Sequence, residues 1–102
     1  MKVVFAERAQ RDIGAVYDWI APNSPRGALR VEMEIRMACE RLSHFPFASM
    51  ATDVPGIRRL PLSRYPYTIF FRVDEVRDLV EIARVVHSAR VRDIGTIPDD
   101  AS

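Results

Sequence analysis

Hydrophobic positions along this chain follow two periods, a helical one in the first half and an alternating one in the second. Over residues 7–21 the apolar residues recur at i, i+4, i+7, i+8 and i+11, which is the stripe of an amphipathic helix. A second helical period runs over residues 25–42, with Ser24 placed as N-cap and Pro25 at the first helical position. Only a short segment starting at Pro22 separates the two periods, so the pattern predicts a helical hairpin.

Four other segments have the composition and alternation of β-strands. They cover residues 2–6, 57–62, 66–73 and 79–87, and the last is the most β-prone run in the chain. Short turns join the last three, which should form an antiparallel meander that the first strand can join. The order strand, helix, helix, strand, strand, strand predicts an α+β fold. Both helices should pack on one face of a four-stranded, antiparallel-type sheet, and the other face should be left uncovered.

The second predicted helix carries apolar residues on two nearly opposite sides. One side holds Ala28, Val31, Ile35, Ala38 and Leu42, and the other holds Leu29, Met33 and Met37. One stripe should cover the sheet, and the other must meet the first helix or an outside partner. Phe70 is predicted to lie on the sheet face that the helices leave open. An apolar residue there also points to a partner.

Length and composition restrict the class of protein. The chain has 102 residues, which fits one domain over residues 1–95 and a short polar tail over residues 96–102. No apolar run approaches the roughly 20 residues of a membrane helix, and no signal peptide is expected because Glu7 and Arg8 follow the first apolar residues at once. The lone Cys39 is predicted to be a core residue, and no metal site is expected. A cytoplasmic location is the expectation.

Basic residues are unevenly distributed, although the net charge is only +1. Fourteen of the fifteen are arginine, and Lys2 is the single lysine. Residues 57–73 hold four arginines and no acid, and residues 84–92 hold three more with His87 and no acid. A GC-rich coding sequence would by itself account for the preference for arginine. Arginine nonetheless suits forked contacts to phosphate or carboxylate, and these two segments are the local positive patches of the chain.

The arginines on the predicted strands allow two interpretations. By strict alternation Arg84 shares a face with Ile82 and Val86, and His87 shares the other face with Val85, Ala83 and Glu81. Neighbouring strands could then assemble a cationic cluster that binds a phosphodiester and stabilises charge in its cleavage, with His87 as general acid or base. The aromatic run at Tyr65 could add an RNA-stacking surface. The simpler interpretation is that these arginines are solvated or paired surface charges.

Three segments together resemble the RelE/ParE superfamily of toxins from bacterial type II toxin–antitoxin modules. They are Ala9-Gln10-Arg11-Asp12-Ile13 with Asp18-Trp19-Ile20-Ala21, Gly56-Ile57-Arg58-Arg59-Leu60-Pro61-Leu62 with the run from Tyr65 to Val73, and Ile82-Ala83-Arg84-Val85-Val86-His87-Ser88-Ala89-Arg90. Their order and spacing cover nearly the whole chain. The resemblance implies a small antiparallel sheet under a helical hairpin, in agreement with the pattern above.

The branches of this superfamily differ in target. The RelE-like branch cuts messenger RNA on the ribosome with basic residues of the middle strands and a base near the C-terminus; here Arg59, His87 and Arg90 would be those residues. Pro61 and Thr68 stand where further basic residues are expected, so this set is incomplete. The ParE-like branch poisons DNA gyrase, with no cofactor and no turnover by the toxin. The Gly56 and Arg84 segments look closer to ParE, so the resemblance favours a gyrase-poisoning toxin that is not an enzyme.

The resemblance also implies a cognate antitoxin that folds on the toxin and forms a hetero-oligomer with it. The antitoxin-binding candidates are Leu29, Met33, Met37, Phe70 and Arg72. The target-binding candidates are Arg58, Arg59, Arg64, Arg84, His87, Arg90 and Arg92. A third possibility is a degenerate member of the superfamily that retains only its antitoxin-binding surface.

Overall fold

Two helices lie against a five-stranded sheet in the computed structural model, which describes residues 1–91. The helices and strands, in chain order, are β1 (Lys2–Phe5), α1 (Glu7–Ile20), α2 (Pro25–His44), β2 (Met50–Ala51), β3 (Ile57–Pro61), β4 (Tyr67–Asp74) and β5 (Leu79–His87), and a short 3₁₀ helix (Ser88–Arg90) follows. The predicted helical hairpin and α+β class are confirmed. The domain boundary at residue 95 and the tail over residues 96–102 lie outside the described residues.

The sheet has the order β1-β5-β4-β3-β2. Strands β2 to β5 pair in antiparallel fashion, whereas β1 runs parallel to β5. The prediction of four strands is therefore wrong by one, and the sheet is mixed. The missed strand β2 is only two residues long and pairs with Arg58 and Arg59. Two residues are too few to show an alternating period.

The main core fills the space between the hairpin and one face of the sheet. Its buried residues come from both helices and from β4 and β5, and they include Ala9, Ile13, Val31, Ile35, Ala38, Leu42, Ile69, Phe71, Val80 and Ile82. The Ser24 hydroxyl accepts a hydrogen bond from the Gly27 N–H at 2.9 Å and so caps α2 as predicted. The first apolar stripe of α2 faces the core, and the second stays outside it.

A β-bulge in β5 changes the faces predicted for its residues. Phe70 pairs with Arg84, but the neighbouring Phe71 pairs with Ile82, so Ala83 is an extra residue in β5. Ile82 consequently belongs to the core under the helices, whereas Val86 lies on the other face. The prediction that Ile82 shares a face with Arg84 and Val86 is wrong, because strict alternation ends at the bulge. His87 and Glu81 likewise lie on opposite faces.

The sheet face away from the helices is partly covered, contrary to the prediction. Ile57, Phe70 and Val86 form a second small core there, and Val54 and Val91 pack against it. Phe70 is only 4% exposed, so the exposure expected for it is wrong. The cover comes from the turn before β3 and from the segment after β5, neither of which has a periodic sequence pattern.

Candidate functional site

The junction between α1 and the end of β5 is held by one carboxylate. β1 accompanies β5 only as far as Ile82. Beyond that point Asp12 of α1 accepts the Val85 N–H at 2.9 Å, Arg84 Nε at 2.8 Å and Arg84 Nη2 at 3.2 Å. Arg8 Nε lies 3.7 Å from the same carboxylate. The Arg84 and Asp12 side chains are 10% and 12% exposed, so the pair is largely shielded from water. The Arg84 charge is therefore compensated inside the protein.

A groove of about 570 Å³ opens beside this junction, between α1 and the second half of β5. Apolar groups of Val16 and Val85 line it, and Trp19, at 81% exposure, stands at its wall. His87 and Arg90, both exposed, line it as well. This arrangement combines an apolar lining, an aromatic side chain available to a partner, and cationic or polar groups.

His87 has a defined orientation in this groove. Its ring meets the Tyr67 ring edge-on, with 5.5 Å between centroids and 78° between planes. Its Nδ1 accepts the Ala89 N–H at 3.1 Å and so caps the 3₁₀ helix. These two contacts within the chain fix the orientation of the imidazole at the groove.

The two arginines on β3, Arg58 and Arg59, make different contacts. Arg58 donates to the Ser49 hydroxyl and to the Ser49 carbonyl, both at 2.9 Å, and its guanidinium lies 5.2 Å from the centroid of the Phe47 ring. Arg58 therefore stabilises the loop between α2 and β2. Arg59 is the strand partner of Phe70, and both lie on the face of the sheet away from the helices. The buried Nε of Arg59 has no hydrogen-bond partner within the described part of the chain.

The remaining basic candidates are dispersed. Arg64 is exposed and lies 3.9 Å from Glu34 of α2, and Arg72 lies 3.5 Å from Glu81 across β4 and β5. Arg90 lines the groove, and Arg92 lies outside the described residues. The structure thus brings Arg84, His87 and Arg90 to one groove and places the other described candidates elsewhere.

A second surface, on α2, is apolar and exposed. Leu29, Met33 and Met37 are 51%, 59% and 52% exposed. We call these three residues the α2 ridge. The stripe that was expected to meet either the first helix or an outside partner is therefore largely exposed, which supports an interface on this helix. Arg72 and Phe70, the other antitoxin-binding candidates, are on the far side of the sheet from the helices.

Sequence reasoning missed Asp12 and Trp19 as functional candidates. Both are polar-face or off-stripe positions of α1. They stand in segments that carry the family resemblance, but the sequence analysis assigned neither of them a role. The available signal for Trp19 was that so large an aromatic residue falls outside the apolar stripe of its helix. For Asp12 no signal was available, because its partners lie more than 70 positions away.

Cys39 fits the predicted core role. It is 1% exposed, and burial raises the pKa of its thiol to about 12, with the nearby Arg36 charge acting weakly in the opposite direction. A neutral thiol is a poor nucleophile. Within residues 1–91 no group of three or more potential metal ligands comes together, and no helix is long and apolar enough to cross a membrane.

Solved structures with this architecture come from bacterial toxin–antitoxin systems. A chain of the chromosomal ParDE system of P. aeruginosa matches with a TM-score of 0.74 and 28% identity, over 85% of this chain and 95% of that chain. The isolated RelE toxin of E. coli matches with a TM-score of 0.65 over 92% of this chain and 90% of that chain. At 16% identity, the second likeness shows the fold alone.

Sequence relatives identify the family. Toxin RelE2 of Caulobacter vibrioides is 31% identical over 90 residues, which are 88% of this chain and 98% of that toxin. The family model of the ParE toxin of type II toxin–antitoxin systems, parDE, matches residues 3–92. The chain therefore belongs to the ParE toxin family, and the expected membership of the RelE/ParE superfamily is confirmed.

Proposed function

We propose that this type II toxin acts by poisoning DNA gyrase, without catalysing a reaction itself, and that a cognate antitoxin neutralises it in a cytoplasmic hetero-oligomer. Membership of the ParE family supports a gyrase target. The observation that favours gyrase over RNA as the target is the ion pair between Arg84 and Asp12, which neutralises the charge of Arg84 within the protein.

A ribonuclease of this size must aim preorganised positive charge at the scissile phosphate. Arg84 is committed to Asp12, and Arg58 is committed to the loop at Ser49. Arg59 lies on the face of the sheet away from the helices, with its Nε buried. No convergent set of free guanidinium groups is found among residues 1–91. This arrangement suits a protein-binding surface better than phosphodiester chemistry.

The alternative is a RelE-like, ribosome-dependent endoribonuclease. Two observations favour it: His87 and Arg90 share one groove, and a curated relative bears the name RelE2. In that case Arg59 would also be required, although it is on the other side of the sheet from the helices. A third candidate, a degenerate toxin that only binds antitoxin, is favoured by no particular observation.

The α2 ridge supports the antitoxin part of the proposal. Its three large apolar side chains are half-exposed on a helix whose opposite side is already buried in the core. An antitoxin segment that orders on binding would bury well above the roughly 1,600 Å² of a standard interface, because it must offset its folding entropy. The ridge provides an apolar centre for such an interface.

One experiment separates the three functions. The purified protein is incubated with gyrase and plasmid DNA, and in parallel with mRNA on ribosomes. We expect gyrase-dependent cleaved DNA and uncut mRNA. Arg90→Ala should reduce gyrase poisoning in a graded way, as interface residues do, whereas Arg77→Ala in the β4–β5 hairpin serves as the remote control.

The same assay identifies the other outcomes. Codon-dependent mRNA cleavage that disappears with Arg59→Ala or His87→Ala would replace the gyrase proposal by the ribonuclease. For such an enzyme, loss of a charge stabiliser lowers the rate by about 10²–10³. A protein that affects neither substrate but still binds its antitoxin would be the degenerate member.

A further inference from the structure

The charged residues at the two ends of the α2 ridge are arranged symmetrically about its centre. Met33 is that centre, with Leu29 and Met37 about one helical turn away on either side. Arg26 and Glu40 stand seven residues before and after Met33, which is about two turns, so both fall on the line that runs through it. The outer face of α2 therefore has an apolar centre, a cation at one end and an anion at the other.

Both terminal charges are available to a partner. Arg26 and Glu40 are exposed, and neither forms an ion pair with any residue of the range 1–91. The cation one turn before Glu40 is Arg36, but its Nε lies 3.2 Å from the carboxylate of Glu32 on its other side. One turn after Arg26 stands Arg30, a second cation. The helix itself thus leaves the charges of Arg26 and Glu40 uncompensated.

A second copy of the chain complements this pattern. When two identical helices pack antiparallel about a two-fold axis at Met33, residues equally far before and after Met33 lie opposite each other. Arg26 of each copy then faces Glu40 of the other, so opposite charges meet at both ends of the contact. In the middle, Met33 meets its own equivalent, and Leu29 of one copy comes beside Met37 of the other. A parallel pair would instead bring like charges together.

We propose that two copies of the free toxin associate through their α2 ridges as an antiparallel, two-fold pair, with an ion pair between Arg26 and Glu40 at each end. The contact removes the apolar side chains of both ridges from water. The buried stripe of α2 is on its opposite side, so the main core is undisturbed. One helix face buries less than the roughly 1,600 Å² of a standard interface, so the dimer is weak and reversible.

This dimer has a consequence for neutralisation, and that consequence alone rests on the proposed function. The antitoxin is proposed to use the α2 ridge as well, so the antitoxin and the second copy exclude each other. The free toxin would then keep its exposed apolar ridge covered until the antitoxin replaces the second copy.

Charge reversals test the orientation of the pair. Arg26→Glu and Glu40→Arg each place like charges at both ends of the contact, and we expect either one to raise the Kd of self-association about tenfold at low salt. The double variant restores opposite charges and should dimerise like the wild type. Sedimentation velocity of the purified full chain over a range of concentrations measures the Kd. Glu75→Arg, at an exposed position before β5, changes the net charge as Glu40→Arg does and serves as the matched control.

A mixture of the two single variants gives the most specific result. In a mixed dimer the two acids of the Arg26→Glu copy face the two bases of the Glu40→Arg copy, so both ends are complementary. We expect this heterodimer to be at least about tenfold tighter than either homodimer. Met33→Asp places a carboxylate from each copy at the apolar centre and should abolish association in every combination.

The other outcomes are distinguishable. A wild-type chain that stays an 11.7 kDa monomer at the highest soluble concentration would overturn the inference. A dimer that neither the charge reversals nor Met33→Asp weakens uses another surface, which also overturns it. If the chain is monomeric and Met33→Asp abolishes antitoxin binding, the ridge belongs to the antitoxin alone. The proposed function stands in all three cases, because the gyrase assay decides it. Arg26 and Glu40 are exposed, so the charge test stands even if Met33→Asp fails to fold.

Discussion

The two halves of β5 are held in place by different means. The first half, up to Ile82, is paired with β4 on one side and with β1 on the other. The second half, from Arg84, is paired with β4 alone, and the carboxylate of Asp12 takes one of its outward N–H groups. The bulge at Ala83 separates the two halves.

This difference has an energetic consequence. In the first half, backbone hydrogen bonds to β1 and β4 hold the strand on both sides. No single side chain is therefore required to keep it in the sheet. In the second half one carboxylate satisfies a backbone donor and a buried guanidinium at the same time. The half of the strand that lines the groove should therefore be stable only while Asp12 is present, and the following experiments test that contrast.

The largest effect is expected for Asp12→Ala. It leaves Arg84, which is 8% exposed, without its ion-pair partner and leaves the Val85 N–H without an acceptor. Removing one partner of a buried pair costs about 3–5 kcal/mol, a large share of the stability of a small domain. Urea unfolding followed by circular dichroism measures the change. A loss below about 1 kcal/mol would contradict the contrast.

A double variant shows which part of that loss is due to charge. Asp12→Ala combined with Arg84→Met removes the uncompensated charge and keeps a long apolar side chain. It should recover about 2 kcal/mol or more, because replacing a buried ion pair by apolar groups is often nearly neutral. The deficit that stays, about 1–3 kcal/mol, belongs to the unpaired Val85 N–H. A double variant no more stable than Asp12→Ala would exclude the charge as the cause.

A smaller effect is expected in the first half. Ile82→Val removes one methylene from a fully buried side chain and leaves the pairing with β1 and β4 intact. It should lower the free energy of unfolding by about 0.5–1.5 kcal/mol in the same urea experiment. A loss equal to that of Asp12→Ala would mean that the first half is no more robust than the second.

The sequence was sufficient for features that repeat along the chain. The stripe that includes Ile13 and the alternation around Ile69 each extend over many residues, so they predict α1, α2 and β4 close to their observed bounds. Strand β2 and the bulge at Ala83 were missed because each is a local event of one or two residues. The burial of Phe70 was missed for a related reason, since Val54 and Val91, which pack against it, lie outside the periodic stretches of the sequence.

The candidate site was only partly predictable. The second apolar stripe of α2 follows from helical spacing, but spacing left open whether it meets α1 or an outside partner, and the structure leaves it exposed. Arg84 was expected with the other arginines, but its charge is compensated by Asp12, which lies 72 positions earlier. A contact of that separation leaves no periodic trace in one sequence. Clustered basic residues therefore indicated where polar side chains are, but not which of them are already paired.

The smallest effect concerns alkaline pH and again distinguishes the second half of β5. Burial raises the pKa of Tyr67, whose ring contacts His87 there, above its ordinary value of 10.0. The unfolded state loses this proton first, so the stabilisation is complete below about pH 10 and is lost as the pH rises through the raised pKa of the folded protein. Tyr67→Phe should therefore lose less stability than the wild type between about pH 9 and about pH 11. Urea unfolding of both proteins across this range measures the slopes. The other groups that titrate at high pH, Cys39 included, are the same in both proteins and cancel in the comparison. Equal slopes would mean that the Tyr67 phenol ionises as readily in the folded chain as in the unfolded one, and that this end of the strand is open to water.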